Sequence, residues 1–136
     1  MLVSQVMHKG VSSVQINDSI KKVASLMKRE DIGAVPVFKN ERPVGFVTDR
    51  DIVVSCLAEG APTDNPISQA MTKDIIYVHE KEDLNVASKL MRDHQVSRLL
   101  VLDEGDRPVG MITLHDIIIN SNDNELKASV ISEIKR

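Results

Sequence analysis

The stretch GFVTDRD at residues 45–51 occurs a second time, in altered form, as GMITLHD at residues 110–116. Both follow one pattern: a glycine, two apolar residues, a threonine, two variable residues and an aspartate. Strand-forming apolar residues therefore come directly before a Thr-x-x-Asp sequence, which is typical of a helix start. The chain is predicted to contain the same transition from strand to helix twice.

The repeat extends well beyond these two stretches. VSQVM at residues 3–7 aligns with ISQAM at residues 67–71, and RPVG at residues 42–45 aligns with the same four letters at residues 107–110. The second alignment is offset by one more residue than the first, and the extra residue falls in a polar turn, where an insertion costs little free energy. An internal repeat of this kind identifies the structural unit before any single motif does.

We therefore expect one repeat over residues 1–62, a second over residues 63–120, and a tail at residues 121–136. A repeat of about 60 residues buries too little apolar surface to be stable alone. The two copies are therefore expected to pack on each other by pseudo-two-fold symmetry, with a cleft that has two related corners. In the tail, a weak amphipathic helix either packs on the module or makes a dimer contact; its apolar residues are Leu126, Val130, Ile131 and Ile134.

Each repeat is predicted to have the element order β-α-β-β-α, which gives an α+β fold class. Short β-prone runs at residues 11–16 and 75–78 come first. The helix that follows has apolar positions at i, i+3, i+4 and i+7, and Asp18 and Ser19 can cap it in the first repeat. These apolar positions are Ile20, Val23, Ala24 and Met27 in the first repeat and Leu84, Ala87, Leu90 and Met91 in the second, where Ser88 takes the small position.

The second half of each repeat is predicted to be a strand pair followed by a helix. The strands are apolar runs at residues 35–38 and 44–47 in the first repeat, and at residues 99–102 and 109–112 in the second. The second helices begin near the aspartates of the two motifs. Gly60 is a helix stop signal, and residues 61–66 have the composition of a linker.

The composition argues against several classes of function. The net charge is −3, whereas a nucleic-acid-binding protein needs a basic face. Phe38, Phe46 and Tyr77 are the only aromatic residues, too few for stacking on bases. No apolar run is long enough for a membrane span, and the single cysteine, Cys56, cannot form an internal disulfide. A cytoplasmic protein without nucleic-acid or membrane partners is expected.

The threonine and aspartate of each motif allow two interpretations. A Thr-x-x-Asp sequence at a helix start can be a capping box, in which each side chain satisfies a backbone N–H group of the other residue. The same hydroxyl and carboxylate can instead bind a ligand, because a carboxylate accepts hydrogen bonds from paired ribose hydroxyls. The two interpretations are compatible, since a capping threonine lies where a ligand could reach it.

Residues 3–118, with the twin motifs, the VPV sequence at residues 35–37 and the proline-containing linker, resemble a tandem pair of CBS domains, also called a Bateman module. In such modules the threonine and aspartate hold the ribose and neighbouring phosphate of an adenine nucleotide. The resemblance therefore implies that Thr48, Asp51, Thr113 and Asp116 bind the nucleotide. It also implies that adenine lies against the first strand of each repeat, near Ser12 and Ile76.

The two copies differ at positions that the resemblance associates with phosphate. The first repeat has Gly33 and Ala34 before its second strand, where the second repeat has Ser97 and Arg98. Basic residues at these positions meet phosphates in the γ subunit of AMP-activated protein kinase, which this family resembles. Arg98 is therefore a phosphate candidate, or else a surface arginine paired to a carboxylate. Arg50, inside the first motif, has three interpretations: a phosphate contact, a contact to a second subunit, or a solvated side chain.

The resulting hypothesis is a regulatory module, without catalysis or cofactor, that senses an adenosine-type ligand such as AMP, ADP, ATP or S-adenosylmethionine. The alternative is a dimerisation or protein-interaction module with empty pockets. By resemblance a homodimer forms through the second helices, residues 51–59 and 116–119, and an effector protein of unknown identity reads the ligand state. The histidines have no metal-ligand spacing, although His8 and His79 stand beside predicted first strands. Cys56 has no neighbouring base and is interpreted as a packed thiol.

Overall fold

A computed structural model describes residues 1–121 and 123–133, and the side chains of residues 129, 130, 132 and 133 lie outside that description. The chain forms two compact units. One unit is the continuous segment Ser12–Ile75, and the other combines Met1–Val11 with Ile76–Arg136. In chain order the elements are β1 (His8–Lys9), β2 (Val14–Gln15), α1 (Ile20–Glu30), β3 (Ala34–Lys39), β4 (Arg42–Thr48), α2 (Asp49–Ile52), β5 (Thr72–Lys73), β6 (Tyr77–His79), α3 (Leu84–His94), β7 (Arg98–Leu102), β8 (Pro108–Thr113), α4 (Leu114–Asn120) and α5 (Asn124–Glu133).

Each unit contains one four-stranded sheet. The strand order is β2-β3-β4-β5 in the Ser12–Ile75 unit and β1-β8-β7-β6 in the other. The two sheets have the same pairing: the first strand of the β-α-β sequence is parallel to the second, and the remaining pairs are antiparallel. Both sheets also have a register irregularity at the matched positions, Val37/Phe38 and Val101/Leu102. The α+β class and the twofold repetition predicted from the sequence are confirmed.

The segment that leads into each sequence repeat completes the sheet formed by the strands of the other repeat. β1, from the start of the chain, pairs with β8, while β5, which follows the linker, pairs with β4. A short 3-10 turn precedes each of these strands, Val3–Gln5 and Ile67–Gln69. The compact units therefore differ from the sequence repeats 1–62 and 63–120, because the edge strand of each repeat's sheet pairs with the segment that leads into the other repeat.

Backbone hydrogen bonds and buried apolar residues anchor the exchanged segments. Val3 N–H donates to the carbonyl of Glu82, and Ile67 N–H donates to the carbonyl of Asp18. The side chains of Val3 and Ile67 are both fully buried, one in each core. Burying a valine or isoleucine side chain contributes about 1.5–3 kcal/mol, so these segments are integral parts of the two units.

The first helices of both repeats are capped, by the predicted Ser19 in the first repeat and by Asp83, which was not predicted, in the second. Ser19 Oγ accepts the Lys22 backbone N–H at 3.1 Å, and the Asp83 carboxylate accepts the Asn85 backbone N–H at 2.9 Å. Both helices end at a residue in the left-handed conformation, Asp31 and Gln95, each with φ of 54°.

One core assignment in the first helix is wrong. Ala24, which the periodicity placed on the apolar face, is exposed, whereas Ile20, Val23 and Met27 of the same stripe are buried. At the matched position of the second helix, Ser88 is fully buried, and its hydroxyl is satisfied by a hydrogen bond that it donates to the Leu84 carbonyl at 3.1 Å. The difference arises at the edge of the stripe, where periodicity alone does not fix the boundary of the core.

The second helix of each repeat begins at its motif, as predicted. α2 is short and continues as a π-helical turn, Val53–Leu57, before Gly60 with φ of 71°. α4 has regular α-helical geometry up to Asn120. A single π turn inside a helix is often found near functional positions.

The tail forms α5, which packs against α3 and α4 of its own unit. Leu126 contacts the core of that unit, while Ile131 is exposed. Of the other residues in the predicted apolar stripe, Ile134 and the side chain of Val130 lie outside the described residues. None of the helices in the described part of the chain is long and apolar enough to cross a membrane.

The glycine of each motif allows the edge strand to approach. A Cβ atom on Gly45 would lie 2.4 Å from the Thr72 carbonyl oxygen, and one on Gly110 would lie 2.4 Å from the His8 carbonyl oxygen. The glycine pattern seen in the sequence therefore serves the pairing of the exchanged strands.

We predict that Gly45→Ala and Gly110→Ala each lower the free energy of unfolding by about 1–3 kcal/mol, because the added methyl group forces the edge strand away. Urea denaturation measures the change. Gly105→Ala is the control, since a Cβ atom there meets its neighbours at 3.5 Å or more. Equal stability of all three variants would contradict the prediction.

Candidate functional site

The Thr-x-x-Asp sequences form two complete capping boxes. Thr48 Oγ1 accepts the Asp51 backbone N–H at 3.0 Å, and Asp51 Oδ2 accepts the Thr48 backbone N–H at 2.9 Å. The second repeat reproduces this geometry, with 3.1 Å for Thr113 Oγ1 and 2.9 Å for Asp116 Oδ2. The capping interpretation is confirmed, and each box leaves a hydroxyl proton and one carboxylate oxygen that the cap does not use.

The residues at which the two repeats differ lie on the strand that pairs with each motif strand, next to the motif threonine. Ala34 lies opposite Thr48 in the register, and Arg98 lies opposite Thr113. The carbonyls of the preceding residues, Gly33 and Ser97, accept the first backbone N–H of the following helix at 3.0 Å and 2.7 Å. Strand pairing thus places these positions beside the motif threonines.

Arg98 is half-buried and forms no hydrogen bond or ion pair with a side chain of the described residues. Its guanidinium group is thus available beside Thr113. Arg50 is exposed, and within the same part of the chain its side chain also forms no ion pair. Only its backbone N–H is engaged, donating to Asp49 Oδ1 at 2.8 Å.

The two motif aspartates have different surroundings. Asp116 is buried, with 3% of its surface exposed, and its Oδ1 lies 2.8 Å from Nε2 of His8. The ring nitrogen is the donor in this contact, since an ionised carboxylate can only accept. Asp51 is half-buried, and its Oδ1 has no hydrogen-bond partner among the described residues. Sequence reasoning missed the contact of His8, because the exchange of leading segments brings this histidine to the second motif.

The predicted adenine contacts lie on separate parts of the structure. Ser12 Oγ donates to Glu30 Oε1 at 2.5 Å, so its hydroxyl is engaged by the end of α1. Ile76 packs against the core of its unit, and its carbonyl accepts the Leu100 backbone N–H at 3.2 Å. Neither residue shares a contact with a motif aspartate among the described interactions.

A surface groove in the Ser12–Ile75 unit runs between β2 and α1. It contains both charges and hydroxyl groups but neither Thr48 nor Asp51. Its lining residues are Ser13, Val14, Asp18, Lys22, Ser25, Leu26 and Arg29. No pattern in the sequence predicted this groove.

Cys56 is buried in the core of its unit. Burial, and to a lesser extent the charge of Asp51, raise the pKa of the Cys56 thiol. The neutral thiol is therefore favoured, which supports a packing role, because nucleophilic cysteines need the thiolate. In the described residues no group of three or more His, Cys, Asp or Glu side chains is arranged to hold a metal ion.

We predict that Thr113→Val lowers the free energy of unfolding by about 1 kcal/mol, because valine keeps the shape but cannot cap the helix. Thr113→Ser, which keeps the hydroxyl, should retain most of the stability. Thermal and urea denaturation of the two variants measure the difference. If the valine variant is as stable as the serine variant, the hydroxyl does not act as a cap.

The chain is similar to known proteins in family pattern, sequence and structure. The family model for the CBS domain matches residues 3–57 and 67–122. The CBS domain-containing protein YhcV of Bacillus subtilis is 34% identical over 132 residues, covering 97% of this chain and 94% of that protein.

Two solved structures extend the comparison. The CBS domain pair of protein MJ0100, in complex with 5′-methylthioadenosine and S-adenosyl-L-methionine, matches with a TM-score of 0.74 and 28% identity, over 86% of this chain and 92% of that one. The Pyrobaculum aerophilum protein PAE2072, complexed with AMP, shares the fold with a TM-score of 0.79 and 20% identity, over 97% and 99% of the two chains. With both repeats matched and the same fold found, this chain belongs to the CBS-domain family, as a tandem CBS pair.

Proposed function

We propose that this chain is a regulatory module that binds an adenosine-type ligand through the Thr-Asp motifs of its two units. The observation that carries the proposal is the unused hydrogen-bonding capacity of the first motif, where Asp51 Oδ1 has no partner among the described residues. The CBS pair of MJ0100, 28% identical in sequence, contains methylthioadenosine and S-adenosylmethionine. Both compounds carry a ribose diol, whose hydroxyl groups can donate hydrogen bonds to a carboxylate of this kind.

The capping box prepares these groups for a ligand. Thr48 Oγ1 accepts a backbone N–H, so its own hydroxyl proton is directed elsewhere and can be donated. Asp51 is fixed by the bond to its Oδ2, which leaves Oδ1 in a defined position. A ligand therefore meets side chains that have already lost their rotational freedom, and this reduces the entropic cost of binding.

Phosphate selectivity is proposed to come from the arginines. Arg98 lies beside Thr113 in the strand register and is free to form a bidentate contact with phosphate oxygens. Arg50 offers a second, more exposed guanidinium group at the first motif. Ser12, Ile76 and Ser97 remain proposed as contacts for the rest of the ligand, by analogy with the family and not from a contact seen here.

CBS pairs are regulatory modules, and we propose no catalysis and no cofactor for this chain. A ligand changes the conformational equilibrium only to the extent that it binds one state more tightly than another. The effector that reads this change is proposed to be a separate protein. A cytoplasmic location is part of the proposal and is consistent with a single cysteine that is buried and free.

Thermal melting with AMP, ADP, ATP, S-adenosylmethionine and methylthioadenosine tests the proposal. A ligand at a hundred times its Kd should stabilise the protein by about 2.7 kcal/mol. Asp51→Asn should reduce the shift, because an amide can keep the cap but cannot accept two ribose hydroxyls as a carboxylate does. Asp64→Asn, at an exposed linker position, is the control. A flat response to all five compounds, with folded protein, would reject ligand sensing.

A second candidate function, assembly with another copy, is favoured by exposed apolar side chains on the second helices. Val53, Val54 and Leu57 of the π-helical turn are 52%, 49% and 72% exposed, and Ile119 at the end of α4 is 61% exposed. Apolar residues clustered on one short segment indicate an interaction surface more than scattered ones do. We propose that these helices form a homodimer contact.

Leu57→Glu should shift the protein towards monomer, because an unpaired carboxylate would be buried at the contact. Sedimentation velocity over a concentration series measures the distribution. Val86→Glu makes the same change at an exposed apolar position of α3 and should leave the distribution unaltered. A wild-type protein that is monomeric throughout the series would contradict the proposed dimer.

A further inference from the structure

We propose that His8 is an internal competitor for the carboxylate of Asp116, so that an adenosyl ligand fills the first motif, at Asp51, before the second. This inference rests on the proposed function, because it concerns the order in which the two motifs are occupied. It assigns His8 a part in regulating binding, which the position of this residue in the sequence does not reveal.

Both oxygens of Asp116 are engaged by other residues of the chain. Oδ2 accepts the Thr113 backbone N–H at 2.9 Å, and Oδ1 lies 2.8 Å from Nε2 of His8. A ribose diol that approaches this carboxylate must therefore displace the imidazole. At Asp51 the corresponding oxygen has no partner in the described part of the chain, so a ligand there displaces no side chain.

The difference follows from one position of the internal repeat. His8 aligns with Thr72, and both lie on the exchanged edge strands, where His8 pairs with Met111 and Thr72 pairs with Phe46. The two backbones are therefore placed alike, but the threonine side chain forms no hydrogen bond with Asp51 among the described interactions. Histidine is long enough to reach the carboxylate, so the side chain and not the fold makes the two motifs unequal.

The geometry indicates competition and not permanent closure. The backbone of His8 is held by its strand partner and by the close approach to Gly110. Its side chain, however, is 73% exposed, whereas that of Asp116 is 4% exposed. The imidazole can rotate into solvent when a ligand takes its place. A hydrogen bond to a charged group contributes little free energy when both partners are exposed and more when both are buried. The contact between His8 and Asp116 lies between these cases, so we expect it to reduce the ligand affinity of the second motif about tenfold.

Methylthioadenosine is the most suitable ligand for the test. It has the ribose diol but no phosphate, so the contribution of Arg98 to the second motif does not mask that of His8. Four forms of the protein are titrated by isothermal calorimetry. They are the wild type, His8→Thr, Asp51→Asn and the double variant that combines His8→Thr with Asp51→Asn. His94→Thr makes the same substitution at an exposed position of α3 and is the matched control.

The wild type should bind one equivalent tightly, and Asp51→Asn should remove that equivalent. His8→Thr should add a second equivalent, visible alone in the Asp51→Asn background as binding about tenfold tighter than without the His8 change. His94→Thr should alter neither. The melting temperature of each variant shows that it is folded. As a readout that needs no substitution at His8, its imidazole proton signals in the Asp51→Asn protein should shift as methylthioadenosine fills the second motif.

Two results would overturn the inference while leaving the proposed function in place. One is a wild type that binds two equivalents with equal affinity. The other is unchanged binding when His8→Thr is added to Asp51→Asn, while the wild type still binds one equivalent tightly. If neither the wild type nor any variant binds methylthioadenosine, S-adenosylmethionine or an adenine nucleotide, the proposed function is rejected and this inference with it.

Discussion

The pairing of the exchanged edge strands with β4 and β8 is the constraint on which the rest of the structure depends. It requires the absence of a side chain at Gly45 and Gly110, since a Cβ atom at either position would collide with a carbonyl oxygen of the partner strand. The paired strands then hold Val3 and Ile67 in the cores and place His8 near the second motif. Packing, strand order and the environment of the candidate site thus share one cause.

The motif residues serve stability and binding with different atoms. In each capping box the threonine oxygen and one carboxylate oxygen satisfy backbone N–H groups at the start of a helix. The remaining oxygen of Asp51 is what makes a ligand contact chemically reasonable. A ligand bound there would be attached to groups that also stabilise the fold, which is a direct way for occupancy to influence conformation.

Much of the fold could be predicted from the sequence, because its periodicities are strong. The alternation of apolar runs and turns predicted β3, β4, β7 and β8 to within two residues at each end, and helix signals predicted the starts of the helices. The exchange of leading segments could not be predicted, since two-residue strands carry no periodicity and their partners lie about a hundred and about thirty residues away. For the same reason the contact of His8 was missed, although the capping boxes, which are local, were recognised.

The division of the chain into units has a consequence for the order in which the protein is completed during synthesis. The Ser12–Ile75 unit is continuous, so all its strands are available as soon as β5 has been made. The first eleven residues belong to the other unit, and β1 has no partner until β8 is synthesised. At about 5–20 residues per second the ribosome leaves this segment unpaired for several seconds. The β1 segment is therefore among the last parts of the chain to reach its final place.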